Sequence, residues 1–220
     1  IRRKQIPDTI LAWKYFMDTL SKEEQDECMF VLHTQPVDDN GTDLPAIINY
    51  LFPEGHNIRF STDKLSSEQM NVLYNIADAQ IQLTSNEGWG LSLTEALLTG
   101  TPIIANTTGG MQDQMRFEYN DSNKWVEFDE DFPSNNRGTY KKHGEWAFPV
   151  YPTNLSIQGS PTTPYIWDDR CSAEDAAKQI GKLYKMTSEE REELGLEGMK
   201  WATGEEAGFT SKIMGERVIE

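Results

Sequence analysis

The sequence predicts an α/β fold, with a parallel sheet and helices on both of its faces. Two observations lead there. Between residues 28 and 106, short β-prone runs alternate strictly with segments of 10 to 12 residues that carry helical apolar spacing. Several of the helical segments open on a capping residue or a first-turn proline.

The elements follow in order. Asp8 caps an expected helix over 9–20, in which Ile10, Leu11, Trp13, Phe16, Met17 and Leu20 share a face. CMFVLHT (28–34) reads as a buried strand. After the Asn40-Gly41 turn, DLPAIINYLF reads as a short helix with Pro45 in its first turn. NIRFST (57–62) is a strand and SSEQMNVLYNIA (66–77) a helix capped by Ser66 or Ser67. AQIQLT (79–84) is a strand, LSLTEALLT (91–99) a helix closed by Gly100, and TPIIAN (101–106) a strand. From about 111 the alternation fails, and 117–170 reads as an irregular insertion within one domain spanning 1–220. Helices resume at 172–185, from Ser172, then at 188–202 and near 205–218. Such folds normally begin on a strand, whereas this chain begins on a helix and on Ile1 rather than Met. A first strand truncated just before Ile1 is therefore expected.

Composition bounds the function. The 220 residues are 37% hydrophobic and 25% charged, ordinary for a globular chain, but the net charge of −16 argues against a general nucleic-acid binder. Only Cys28 and Cys171 are present, with no framework of disulfides, no signal peptide and no apolar run of membrane-spanning length, so a cytoplasmic location is expected. His33, His56 and His143 lack metal-ligand spacing. Asp129-Glu130-Asp131 spells a DxD, which in so acidic a chain reads as coincidence. No metal and no cofactor are expected.

The chemistry concentrates in SNEGWGLSLTEALLTGTPIIANTTGG, residues 85–110. Gly88 and Gly90 open a helix start, where backbone N–H groups and the helix dipole favour an anion. Two carboxylates, Glu87 and Glu95, flank that turn. Carboxylates repel phosphate but accept hydrogen bonds from hydroxyls. A ligand with both phosphates and sugar hydroxyls, a nucleotide sugar, meets both conditions. Near the start, IRRK is a local reversal of charge.

This composite resembles the donor-binding region of retaining GT-B glycosyltransferases of the group 1 type. It carries Ser85, Glu87-Gly88-Trp89-Gly90-Leu91, Glu95-Ala96, Gly100-Thr101-Pro102 and Gly109-Gly110 at that family's spacing. RRKQIPDTILAWKYF is similar to the family's basic segment and following helix, with Gln5 where the family usually has Gly. The resemblance covers about 1–116 well and 171–203 loosely. It implies a Rossmann-like domain, the C-terminal half of a GT-B fold, with an N-terminal acceptor domain absent from this chain. It further implies that Lys4, with Arg3, neutralises the donor diphosphate, and that a companion arginine lies before Ile1. Glu87 would contact the donor sugar, the N–H groups of Gly88 to Leu91 the diphosphate or sugar, and Glu95 the ribose hydroxyls. Residues around Thr62 and Leu65 would flank the base. Trp89 reads equally as packing or as ligand contact; SPTTPYIWDDR (160–170), dense in aromatic and polar residues near an expected sheet end, reads as a structural loop, with a role in covering the donor or binding acceptor as the alternative.

The function expected of the whole enzyme is transfer of a sugar from a nucleotide diphosphate donor, such as a UDP or GDP sugar, to a saccharide or lipid-linked acceptor with retention. Polysaccharide biosynthesis and peripheral membrane association of the full-length enzyme accompany that reading, and the isolated domain is expected to be inactive. Two alternatives stand beside it: a non-catalytic nucleotide-binding module, and a GT-B sugar-nucleotide epimerase or phosphorylase.

Overall fold

A computed structural model describes residues 2–55, 57–126 and 135–219. His56 and the Asp129-Glu130-Asp131 triplet lie outside the described residues. A 3-10 turn, Arg2–Lys4, precedes α1 (Ile6–Met17) and α2 (Lys22–Glu27). The alternation then runs β1 (Phe30–His33), α3 (Leu44–Leu51), β2 (Ile58–Ser61), α4 (Ser67–Asn75), β3 (Gln80–Gln82), α5 (Leu91–Leu98) and β4 (Ile103–Asn106). A 3-10 helix, Gly109–Met115, leads into the irregular stretch, followed by β5 (Ala147–Val150), β6 (Pro152–Ser160) and β7 (Thr163–Cys171). Helices α6 (Ala173–Tyr184), α7 (Ser188–Thr203) and α8 (Ser211–Ile219) finish the chain.

The parallel strands divide into two sheets, β1–β2 and β3–β4–β5, in place of one continuous sheet. The ladders are short, and β3 contributes only three paired residues. Helix α1 serves both: Ile10 packs with Leu32, Ile48 and Ile58, whereas Ala12 packs with Leu83, Ile104 and Phe148. In the three-stranded sheet the two-residue period sorts the side chains cleanly. Ile103, Ala105 and Ala147 face Leu93, Leu97 and Trp201, on the side of α5 and α7. Ile104, Phe148 and Val150 face Ala12, Ala176 and Leu183, on the side of α1 and α6. Helices therefore cover both faces, as the alternation predicts.

Local chemistry explains the helix starts. Ser66 with Gln69, and Thr187 with Glu190, close reciprocal capping boxes, while Asp43 and Ser172 accept from the amides of Ala46 and Asp175. Asp8 is not a cap. Helix α1 begins earlier, at Ile6, with Pro7 in its first turn, and the residue before it, Gln5, sits in the left-handed region at φ 50°. That is the position where the resembled family carries glycine, and the conformation is one glycine adopts at least cost.

The expected irregular insertion, 117–170, holds more order than its composition suggests. Its residues supply β5, the third strand of the parallel sheet, and a long antiparallel hairpin, β6–β7. SPTTPYIWDDR, expected as a loop, is mostly strand β7. Prolines at 152 and 164 and Gly159 hide the strand signal, and the pairing, for instance Ile157 with Trp167, is what creates it.

Two consequences can be tested. A Cβ added to Gly195 in α7 would lie 1.7 Å from the carbonyl oxygen of Gly100, at the end of α5. Gly195→Ala should destabilise the domain by about 2–4 kcal/mol in urea unfolding. Gly215→Ala in α8, where a Cβ meets nothing within 4 Å, should be neutral or slightly stabilising. In the Gly109–Met115 turn, burial pushes the Asp113 carboxyl up to about 6 from an ordinary 3.8. A raised acid favours the folded state only while protonated, so this group costs stability as pH climbs through about 4 to 6. Asp113→Asn should match the parent at pH 3.5 and exceed it at pH 8 by about 1–2 kcal/mol, after allowing for solvent screening. A difference independent of pH would refute that account.

Candidate functional site

The segment 83–90 leaves the carboxyl end of β3 and turns into α5. Gly90 occupies the cap position at φ 87°, which demands glycine, and so offers the first-turn amides no side chain. Gly109 and Gly110 press against this turn from the end of β4. A Cβ on Gly109 would fall 2.0 Å from the Glu87 carbonyl oxygen, and one on Gly110 2.2 Å from that of Gly88. The Gly110 amide donates to the Glu87 carbonyl at 3.3 Å. The two glycine pairs are thus one backbone contact, and no other residue could stand at 109 or 110 without moving the turn.

The basic 3-10 turn closes over the same point. The Ser85 amide donates to the Arg3 carbonyl at 2.9 Å, and Arg3 Nη1 donates to the Asn86 carbonyl at 2.9 Å. Arg3 Nη1 also meets Glu87 Oε2 at 2.8 Å, and Lys4 Nζ binds the same oxygen. Burial works to raise the Glu87 carboxyl, but Lys4 and Arg3 outweigh it and hold the group below the usual carboxylate range. Arg3, Lys4, Glu87 and Gly88, singled out from sequence, are therefore brought together.

The remaining candidates divide. Trp89 turns inward: its Nε1 donates to Thr94 Oγ1 at 2.8 Å, its carbonyl accepts from Gln114 Nε2 at 2.7 Å, and its ring meets Phe209 edge-on with centroids 5.1 Å apart. These are packing contacts, and Trp89 remains half-buried beside the turn. Leu91 is exposed at the start of α5. Glu95 lies exposed one turn further on, accepting from Tyr74 Oη at 2.8 Å. Burial and that carboxylate together push the Tyr74 hydroxyl pKa up, which keeps it a donor. Thr62 and Leu65 lie in the loop after β2, in the other parallel sheet. There Gln35 Nε2 donates to the Thr62 carbonyl at 3.2 Å, and His33 Nδ1 and Ser61 Oγ are 3.0 Å apart. Thr62, Leu65 and Glu95 make no hydrogen bond to the Glu87 cluster among the described residues.

Sequence reasoning missed a buried centre beside the cluster. Asp169, 1% exposed, accepts from Thr108 Oγ1 at 2.8 Å and Asn135 Nδ2 at 2.5 Å, with Arg137 at 3.7 Å. Its amide donates to the Ser85 carbonyl and its carbonyl accepts from Asn106 Nδ2, at 2.9 and 2.8 Å. No local pattern could announce it, because its partners come from three separate segments, around Ser85, residues 106–108 and residues 135–137. Elsewhere, at the opposite ends of the strands, an open depression of about 920 Å³ is lined by Arg116, Lys142, His143, Trp146 and Lys200. Arg116 there is consumed by Glu118 and Glu206. Among the described residues no group of three or more His, Cys, Asp or Glu could hold a metal, and no helix is long and apolar enough to cross a membrane.

With that geometry in place, comparisons locate the chain. Residues 55–129 match the sequence model of the family Glycosyl transferases group 1. No curated protein sequence matches it. The fold is similar to that of the trehalose-6-phosphate phosphatase N-terminal domain of Candida albicans, with a TM-score of 0.60 and 12% identity, covering 98% of this chain and 39% of that one. It is similar to a UDP-forming α,α-trehalose-phosphate synthase from Burkholderia xenovorans, with a TM-score of 0.58 and 10% identity, over 100% of this chain and 42% of that one. It is similar again to the C-terminal domain of the glycosyl transferase group 1 family protein LpcC from Francisella tularensis, with a TM-score of 0.57 and 16% identity, over 92% and 80%. This chain thus spans about two-fifths of the first and second of these proteins. The resemblance read from residues 85–110 is supported: the stretch matched by the Glycosyl transferases group 1 model includes it, and the fold is similar to that of the LpcC C-terminal domain.

Proposed function

We propose that this domain binds the nucleotide diphosphate sugar of a glycosyltransferase, which passes the sugar, with retention, to a saccharide or lipid-linked acceptor held by a second domain. The observation that carries the reading is the shared grip of Arg3 and Lys4 on Glu87 at the glycine turn. Two cations beside amide groups at a helix start suit a diphosphate. Without it, their nearest anion is Glu87.

The arrangement then works by exchange. A diphosphate entering the turn competes for Arg3 and Lys4, and Glu87 is released toward the sugar hydroxyls, for which a carboxylate is an acceptor. As the bond from the anomeric carbon to the diphosphate oxygen breaks, negative charge grows on the leaving group. Arg3, Lys4 and the turn amides meet that charge without reorganising. Glu95, steadied by Tyr74 Oη, accepts from the ribose hydroxyls. Gly88, Gly90 and the Leu91 amide line the approach, and the loop with Thr62 and Leu65 flanks the base. The chemistry so described calls on no cofactor. A GT-B centre lies between two domains, so sugar transfer needs the acceptor domain as well.

The test is a titration with UDP, GDP and ADP by calorimetry. One nucleotide should bind best, and Glu95→Ala should weaken it about tenfold, the loss of hydrogen bonds to a charged group. Glu87→Gln should tighten the same nucleotide about threefold to fivefold, because a half-exposed pair worth roughly 1 kcal/mol no longer occupies the cations. Lys4→Met should weaken it. A folded domain that binds none of the three, or one in which Glu87→Gln weakens binding as Lys4→Met does, would sink the exchange. The ion pair also has a pH signature. Its folded-state carboxyl lies low, so its stabilisation is full above the ordinary carboxylate pKa and is lost as pH falls through the lowered value.

A further inference from the structure

The β6–β7 hairpin stands out from the rest of the molecule in its chemistry. No Asp, Glu, Lys, Arg or His occurs between Glu145 and Asp168, in a chain of which 25% is charged. A run of that length is rare by chance. Its apolar groups are also displayed rather than buried: Tyr165 is 69% exposed, Ile157 59%, Trp167 51% and Leu155 39%. Register places them together. Ile157 pairs with Trp167 and Leu155 with Asp169, so alternation sets Leu155, Ile157, Tyr165 and Trp167 on one face. Toward the base, that face runs into the buried Asp169. The Trp167 carbonyl accepts from Asn86 Nδ2 at 3.2 Å, one residue from Glu87. The strip therefore begins at the glycine turn and leads away from it.

We propose that this strip is a docking surface for a neutral saccharide, which it lays toward Glu87. Resting on the function proposed above, that saccharide is the acceptor. A sugar ring presents an apolar C–H face with a rim of hydroxyls. The flat aromatic rings of Tyr165 and Trp167 complement the apolar part, while Ser156 and Gln158, which pair with Asp168 and Ile166, put hydroxyl and amide groups on the opposite face of the same ribbon. An uncharged ligand also escapes the repulsion that a net charge of −16 imposes on anions. An anionic lipid surface fits worse, because no lysine flanks the hairpin and the charges nearest in sequence are Glu145, Asp168, Asp169 and Arg170. A second protein fits worse too. A strip one strand-face wide is narrow against the roughly 800 Å² per partner of a stable interface.

The experiment titrates this chain with cellohexaose, maltohexaose, mannohexaose and chitohexaose, following tryptophan fluorescence and calorimetry, with UDP, GDP and ADP alongside. At least one hexaose should bind. Trp167→Ala and Tyr165→Ala should each weaken it at least tenfold, Trp167→Phe should restore it to within threefold, and nucleotide affinity should not move. Unfolding midpoints identify any variant that has lost its fold, and the Phe variant then decides. Binding of no hexaose, or binding indifferent to Trp167 and Tyr165, overturns the proposal. So does Trp167-dependent capture of phosphatidylcholine vesicles, or Trp167-dependent self-association in sedimentation, without hexaose binding. Nucleotide binding with no hexaose binding removes the docking surface and leaves the function above intact. Hexaose binding with no nucleotide binding keeps the docking surface and removes its role as acceptor site.

Discussion

Helix α5 is held at both of its ends by glycine backbone pressed against backbone, and the site depends on that. At its start, Gly109 and Gly110 fill the space beside the carbonyls of Glu87 and Gly88. At its end, Gly195 of α7 meets Gly100. These contacts leave no room for a single methyl group, so the helix cannot shift along its axis without losing one of them. The glycine turn inherits its place from that constraint. Its amides, the Glu87 side chain and the basic turn that closes on it are positioned by packing rather than by a ligand, which is the condition for charge stabilisation that needs no reorganisation.

Electrostatics then decide what the rigid turn can hold. The chain carries 36 acidic against 20 basic residues, so an anion approaching at random is repelled. Locally the sum is reversed, because Arg3 and Lys4 together exceed the single charge of Glu87. A half-exposed pair of this kind is worth little net stability, which makes it easy to exchange. A fully buried pair would have been costly to open. Modest strength suits the exchange proposed above, in which a diphosphate displaces Glu87.

Much of this was legible in the sequence, for reasons that differ by element. Strands β1 to β4 and helices α3 to α7 announced themselves through apolar period and caps, which are local properties. Helix α2 escaped because KEEQDE has no apolar face, yet Ser21 and Glu24 spell the capping box that holds it. The hairpin escaped because its strand character comes from pairing across the tip and is masked by proline and glycine. In the site, Glu87, Glu95 and the glycine pairs were readable from their spacing. The meeting of Arg3 with Glu87, 84 positions apart, needed the family's pattern to be foreseen. The Asp169 centre was not readable at all, since Thr108, Asn135, Asn106 and Ser85 converge on it only through the fold.

That buried carboxylate also bears on how the hairpin can move. A charge removed from water is tolerated only while its donors remain in place, and losing one strands it at a cost of several kcal/mol. Thr108 comes from the segment after β4 and Asn135 from the irregular stretch, and Asp169 itself lies in β7. The base of the hairpin is therefore fastened to the same backbone that carries Gly109 and Gly110. Among the described residues no buried carboxylate fastens its outer half in the same way, and a two-stranded ribbon alone is only marginally stable in water. The result is a root fixed at the glycine turn. That root keeps the end of the hairpin nearest Glu87 in register with the glycine turn.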